Sequence, residues 1–215
     1  MKFDKGIANK YRKSVDDAFD AIIANGNELH REIAEMILES EMLVRVQPVR
    51  KINASGVTGL IDPGETNDKI EDEILSLREA LGEVYIAIAE ETIDTGGQRG
   101  CEGTFVHEGR HAYDFARMIE SYSNAGVNPL SIFDPTLYEL ELEAHKISGE
   151  YMLCVGRDEY IDEGLGLMIL GRRDAIEPCY VDDNGIHNRL SDSYGLEPGL
   201  KEGPRASELL GLRPK

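Results

Sequence analysis

Residues 103–115 read G-T-F-V-H-E-G-R-H-A-Y-D-F. His107 and His111 stand four positions apart, and Glu108 follows the first histidine directly. Phe105, Ala112, Phe115 or Ala116, and Ile119 recur at helical spacing with no proline between them, so a helix over about 104–122 is expected. On a helix, residues i and i+4 lie one above the other with Cβ atoms about 5–6 Å apart. Two imidazoles so placed can converge on one Zn²⁺. Glu108 projects about 100° further around the axis, so it does not compete as a ligand, yet its carboxylate can reach a water held by the metal. Such a carboxylate takes the water's proton as the oxygen attacks a carbonyl carbon, which is the metallopeptidase use of H-E-x-x-H. The plainer alternative is an acidic surface helix that shows H-E-G-R-H by accident, but only five histidines occur in 215 residues. Gly109 inside the motif costs about 1 kcal/mol of helix propensity relative to Ala, so a helix here needs a packing or functional reason.

Upstream, E-V-Y-I-A-I-A-E-E-T-I (83–93) has the β-branched alternation of a strand, and D-T-G-G-Q-R-G-C-E-G (94–103) reads as the loop into the motif. The run N-E-L-H-R-E-I-A-E-M-I-L-E-S is expected to be an amphipathic helix with Asn27 as N-cap and Leu29, Ile33, Met36 and Ile37 on one face. M-L-V-R-V-Q-P-V reads as a short strand closed by Pro48. Residues 53–67 carry Gly, Asp-Pro and Asn signals and read as turns, with a short helix following at about 68–81. Downstream, residues 123–135 break the motif helix. Asp134 as N-cap with Pro135 in the first turn should start a second helix running to about 153, with Leu137, Leu140, Ala144, Ile147 and Tyr151 as its apolar stripe. Beyond Val155 Gly, Pro and Asp become frequent. Only L-G-L-M-I-L-G and C-Y-V-D-D-N-G-I-H offer short strands or a hairpin around Asn184-Gly185, and D-D-N-G is too short for a calcium loop. The division expected is a domain over 1–155 and an irregular extension over 156–215 that wraps the core or mediates subunit contacts.

A third zinc ligand leaves one coordination position open. The second helix offers Glu139, Glu141, Glu143 and His145. With the stripe centred on Leu140, Ala144 and Ile147, Glu139 points to solvent, while Glu141 and Glu143 flank the stripe on opposite sides, so periodicity does not choose between them. Donors for a developing oxyanion are available in Tyr138, Tyr151, His187, Tyr194 and Arg110, which the sequence does not rank. Cys101 reads as a buried thiol and His30, on a glutamate-rich helix, as a surface residue.

H-E-G-R-H (107–111) followed about thirty residues later by E-L-E-A-H (141–145) resembles the gluzincin metallopeptidases, the group of thermolysin and neprilysin. The resemblance covers roughly residues 100–155. It implies His107 and His111 as paired zinc ligands, Glu108 as general base, and Glu141 as third ligand because Ala144 stands three residues on. It also implies a zincin-like α+β fold in which a small sheet packs on the motif helix and binds an extended peptide by strand addition. Where neprilysin-like enzymes carry an aspartate that orients a histidine ligand, this chain has His145; Asp114, three residues after His111, is another candidate for that contact. His111 is followed by A-Y-D-F-A-R, which excludes the three-histidine metzincin arrangement.

The formal net charge is −18, from 41 Asp and Glu against 23 Lys and Arg, so nucleic-acid binding is disfavoured. No apolar stretch approaches the ~20 residues of a membrane helix, and no apolar run follows the basic first residues as in a signal peptide. Three widely spaced cysteines argue against a disulfide framework, so the setting expected is cytoplasmic. The reading is a zinc-dependent hydrolase acting on a peptide or protein substrate. Its rival is a non-catalytic protein, either metal-stabilised or an acidic interaction module.

Overall fold

The computed structural model describes residues 1–156, 169–171, 179–197 and 203–213. Among these the chain is α+β, mostly helical, with one small mixed sheet. The sheet is built from β1 (Lys2–Phe3), β2 (Leu43–Gln47), β3 (Gly56–Leu60) and β4 (Val84–Ala89) in the order β1-β2-β4-β3. The first three in that order run parallel, and β3 runs antiparallel to β4 at the edge, with Thr58 opposite Ile86. β4 is buried at every position except Tyr85, which is why V-Y-I-A-I-A shows a continuous apolar run rather than clean alternation.

Helices α1 (Asn9–Asn25) and α2 (Glu28–Glu39) precede β2. In α1 the buried positions are Tyr11, Val15, Ala18, Phe19 and Ile22, one stripe at helical spacing. Asn27 caps α2 as the sequence indicates, but the buried face is His30, Ile33, Ala34 and Ile37, with Leu29 and Met36 only partly buried. A short α3 (Val49–Ile52) follows Pro48. The stretch expected to be turns holds β3. The helix expected at 68–81 is two, α4 (Pro63–Asp72) and α5 (Leu77–Leu81). Asp62 is the N-cap of α4 and Pro63 its first residue, so the Asp-Pro signal marked a helix start.

α6 (Glu90–Ser123) leaves β4 without a loop. Residues 94–103 are helical too, bent at Gly97, whose φ of 57° is in the left-handed region that suits glycine. The rest of α6 packs between α1, α2, β3 and β4, and against α7 (Leu137–Val155). α7 is capped by Thr136 with Glu139, not by Asp134; the Asp134 carboxylate accepts from the backbone and hydroxyl of Ser207 instead. After α7, β5 (Leu170–Gly171) pairs antiparallel with β6 (Tyr180–Val181). Asn184-Gly185 is no hairpin: Asp182 caps α8 (Asp183–Tyr194), and both residues lie in its first turn. α9 (Ala206–Leu210) closes the described chain. None of the described helices is long and apolar enough to cross a membrane.

Candidate metal centre

α6 and α7 cross so that the motif histidines face the acidic flank of α7. His107 Nε2 lies 3.2 Å from His111 Nε2, and Glu141 reaches both, with Oε2 3.5 Å from His107 Nε2 and Oε1 3.5 Å from His111 Nε2. These three residues form a group that can hold a metal ion. Ligands at about 2.0–2.1 Å from a tetrahedral ion stand roughly 3.3–3.4 Å from each other, so the observed edges need little adjustment. The donor set also fits by what it lacks: Glu141 Oε2 and His111 Nδ1 are buried with no hydrogen-bond partner among the described residues. Buried polar atoms are ordinarily paired, and unpaired ones at a site mark a missing ion or water.

Electrostatics point the same way. Burial opposes ionisation of Glu141, but the His107 and His111 imidazoles beside it outweigh that and hold the carboxyl well below its ordinary range. Burial likewise works against a charge on His111, yet Glu141, Glu108 and Asp114 raise its pKa. The pocket thus favours positive charge at the place where the three donors meet, and a bound cation would displace protons from it.

Of the two acids that periodicity left open, Glu141 is the one turned inward. Glu143 is half-exposed and faces Arg110 and Lys146. Glu139 is exposed, as its angle on the helix required. Glu108 is buried beside the ligands, and its Oε2 accepts from the Thr58 hydroxyl of β3 at 2.8 Å. Thr58 Oγ1 is also 3.1 Å from the Glu108 carbonyl. The strand comes so close that a Cβ on Gly56 would sit 2.6 Å from Thr104 Cγ2 and 2.7 Å from Glu108 Cγ. Gly109 faces α2, where an added Cβ would meet Ile37 Cδ1 at 3.4 Å, so close helix packing is the reason for that glycine.

His145, 4% exposed, lies with its ring 4.8 Å from that of His107 and its Nε2 3.8 Å from Glu141 Oε2. Burial and then the neighbouring His107 and Arg189 push its pKa down to about 3, so it stays neutral. Asp114 does not pair with His111 by a hydrogen bond; it accepts from Arg110 Nε at 2.7 Å. Arg110 is thereby held by carboxylates rather than offered to a ligand.

A cleft of about 280 Å³ opens over His107 and Glu108. Of the proposed oxyanion donors, Tyr194 lines it, and burial and the nearby Glu141 raise the Tyr194 pKa. Tyr138 is instead bonded to His187, and Tyr151 to the buried Glu102 at 2.8 Å. Cys101 is fully buried, and burial pushes its thiol up to about 12, which makes it inert packing. Sequence reasoning missed Thr58 and Gly56, hidden in a stretch rich in turn signals, and Arg189, which lines the cleft from α8. The V-T-G-L run ending at Asp62-Pro63 was the available signal for the strand.

No protein-family model, no curated protein and no solved structure matches this chain.

Proposed function

We propose that this protein is a zinc-dependent peptidase of the zincin type, cleaving a peptide or amide bond. The observation that carries the reading is the convergence of His107, His111 and Glu141 at tetrahedral-edge distances beside a buried Glu108 that faces a cleft. Two imidazoles and one carboxylate are a donor set of catalytic zinc. A bound zinc would act as a Lewis acid, polarising the substrate carbonyl and acidifying water. Thr58 fixes the Glu108 rotamer by donating to Oε2. Glu108 can then accept a proton from water entering the cleft and return it to the leaving amine. Tyr194 is the neutral donor best placed at the cleft wall for the charge that develops on the carbonyl oxygen. β3 carries no strand on its outer side among the described residues, so an extended peptide can add there and pass over Glu108.

Elemental analysis of protein purified without a histidine tag tests the metal first. About one zinc per chain is expected. Glu141→Gln should weaken zinc binding by more than about a hundredfold, beyond the effect typical of removing an outer-shell partner, while Glu143→Gln keeps it. Glu108→Gln should retain zinc and lose about 10²–10⁴ in turnover of a peptide pool. Zinc retained by a wild-type protein that hydrolyses no peptide would overturn the peptidase reading in favour of a metal-stabilised, non-catalytic one.

A further inference from the structure

The chain carries a formal net charge of −18, yet its cleft holds two arginines, Arg99 and Arg189. They differ in how they are matched. Arg99 is paired with Glu102, its Nη1 2.6 Å from Oε2. Arg189 has a buried Nε with no hydrogen-bond partner and forms no ion pair among the described residues. His145 lines the same cleft, and neither of its ring nitrogens has a hydrogen-bond partner there. Tyr194, five residues beyond Arg189 on α8, adds a hydroxyl. Three side chains able to donate thus face one cavity, and among the described residues no side-chain acceptor is matched to Arg189.

Desolvating part of a guanidinium without an anion is costly. A divalent ion on His107, His111 and Glu141 would offset the charges of Glu141 and Glu108, leaving Arg189 as the surplus cation of the cleft. We propose that Arg189, with His145 beside it, binds a carboxylate of the substrate, so that the cleft selects peptides with a carboxylate close to the bond cleaved. A planar two-oxygen acceptor matches the guanidinium fork. A single carboxylate charge also matches the single surplus cation, whereas a phosphate dianion would bring a second charge with no partner in the cleft. Two sources present this chemistry: the free C-terminus of a peptide, and an Asp or Glu side chain. The word substrate rests on the peptidase reading above; the carboxylate site does not.

The Nε–H resonance of Arg189, assigned by its absence in Arg189→Gln, gives a direct probe in protein as purified. Three titrants separate the sources: N-acetylglycine with a terminal carboxylate, N-acetylaspartic acid α-amide with a side-chain carboxylate, and N-acetylasparagine amide with none. At least one acid should shift the resonance to saturation while the neutral amide does not. Titration calorimetry with the same compounds, which needs no Arg189 resonance, reads the variants: Arg189→Gln should weaken that acid by at least about tenfold, with Arg189→Lys in between, because losing one partner of a desolvated charge pair acts on affinity. The acid that binds more tightly names the source. Equal binding of the neutral amide, or affinity unchanged in Arg189→Gln, overturns the proposal; the second outcome would place the carboxylate on the metal instead. Carboxylate binding by a protein that holds no zinc and cleaves no peptide leaves this inference standing and removes the peptidase reading. Zinc, turnover and no response at Arg189 do the reverse.

Discussion

His30 is 2% exposed and bonded at both ring nitrogens: Nδ1 accepts from the Asn27 N–H at 3.0 Å, and Nε2 donates to the Ile147 carbonyl at 2.9 Å. His145, comparably buried, is bonded at neither among the described residues. A filled pair of hydrogen bonds marks a structural histidine, and empty ring nitrogens mark one held for something else. His30 ties α2 to α7, so His30→Ala should cost about 2–3 kcal/mol through two lost bonds and a cavity, read as a shifted denaturant midpoint. Burial lowers its pKa, hence the unfolded chain takes the proton first as pH falls below about 6.5. The stability difference between wild type and His30→Ala should therefore shrink from pH 7 to pH 5; a difference constant with pH would contradict a neutral His30. The sequence misled here because a glutamate-rich helix looks solvated, and the partner of the ring lies 117 positions away. His107, Glu108 and His111 were legible because one helix fixes their mutual geometry. Glu141 was open against Glu143 because only the crossing of α6 with α7 decides which flank turns inward.

At the scale of elements, α2, the body of α6, α7 and the strands β2 and β4 could be read from the sequence, since each carries a regular apolar stripe or run. β3 could not. Its five residues include two glycines, and the turn signals on both sides outweighed V-T-G-L. Yet this strand supplies Thr58 to Glu108, and Gly56 is there because α6 leaves no room for a side chain. The start of α6 was misread for a related reason: glycines at 96, 97, 100 and 103 suggest a loop, whereas only Gly97 has non-helical torsions. The close approach of β3 to α6 makes a test. Gly56→Ala forces contacts of 2.6 and 2.7 Å on Thr104 and Glu108, which should cost about 1–3 kcal/mol of stability and displace the Glu108 carboxylate. Turnover should fall more than zinc content, since the ligands stand elsewhere on α6 and α7. A variant as stable as the wild type would show that the strand yields and does not position Glu108.

For the molecule as a whole, the boundary expected near residue 155 does not coincide with a boundary in the core. Ile169, Ile186, Leu190, Leu196, Ala206 and Leu212 belong to the same hydrophobic cluster as Val15, Ile86 and Ile119. The segments also share backbone: Leu137 N–H donates to Pro204 and Ala206 N–H to Pro135, each at 2.8 Å, so α9 braces the start of the ligand helix α7. Sequence reading treated 156–215 as an extension that wraps the core or mediates subunit contacts because, apart from L-G-L-M-I-L-G, its apolar residues are scattered among Gly, Pro and Asp with no period to announce a buried face. Burial of a Leu or Ile is worth about 1.5–3 kcal/mol, so the five large residues after 155 contribute about 10 kcal/mol, comparable with the ~5–15 kcal/mol of net stability a domain has. A chain ending at Val155 keeps His107, Glu108, His111 and Glu141 but should lose cooperative unfolding and bind an apolar-surface dye. Calorimetry decides the point: a single sharp transition in the shortened chain, near the wild-type midpoint, would mean that the first 155 residues fold alone. A broad or missing transition would mean that the His107, His111 and Glu141 group depends on residues 156–215 for the core beneath it as well as for Arg189 and Tyr194 at its cleft.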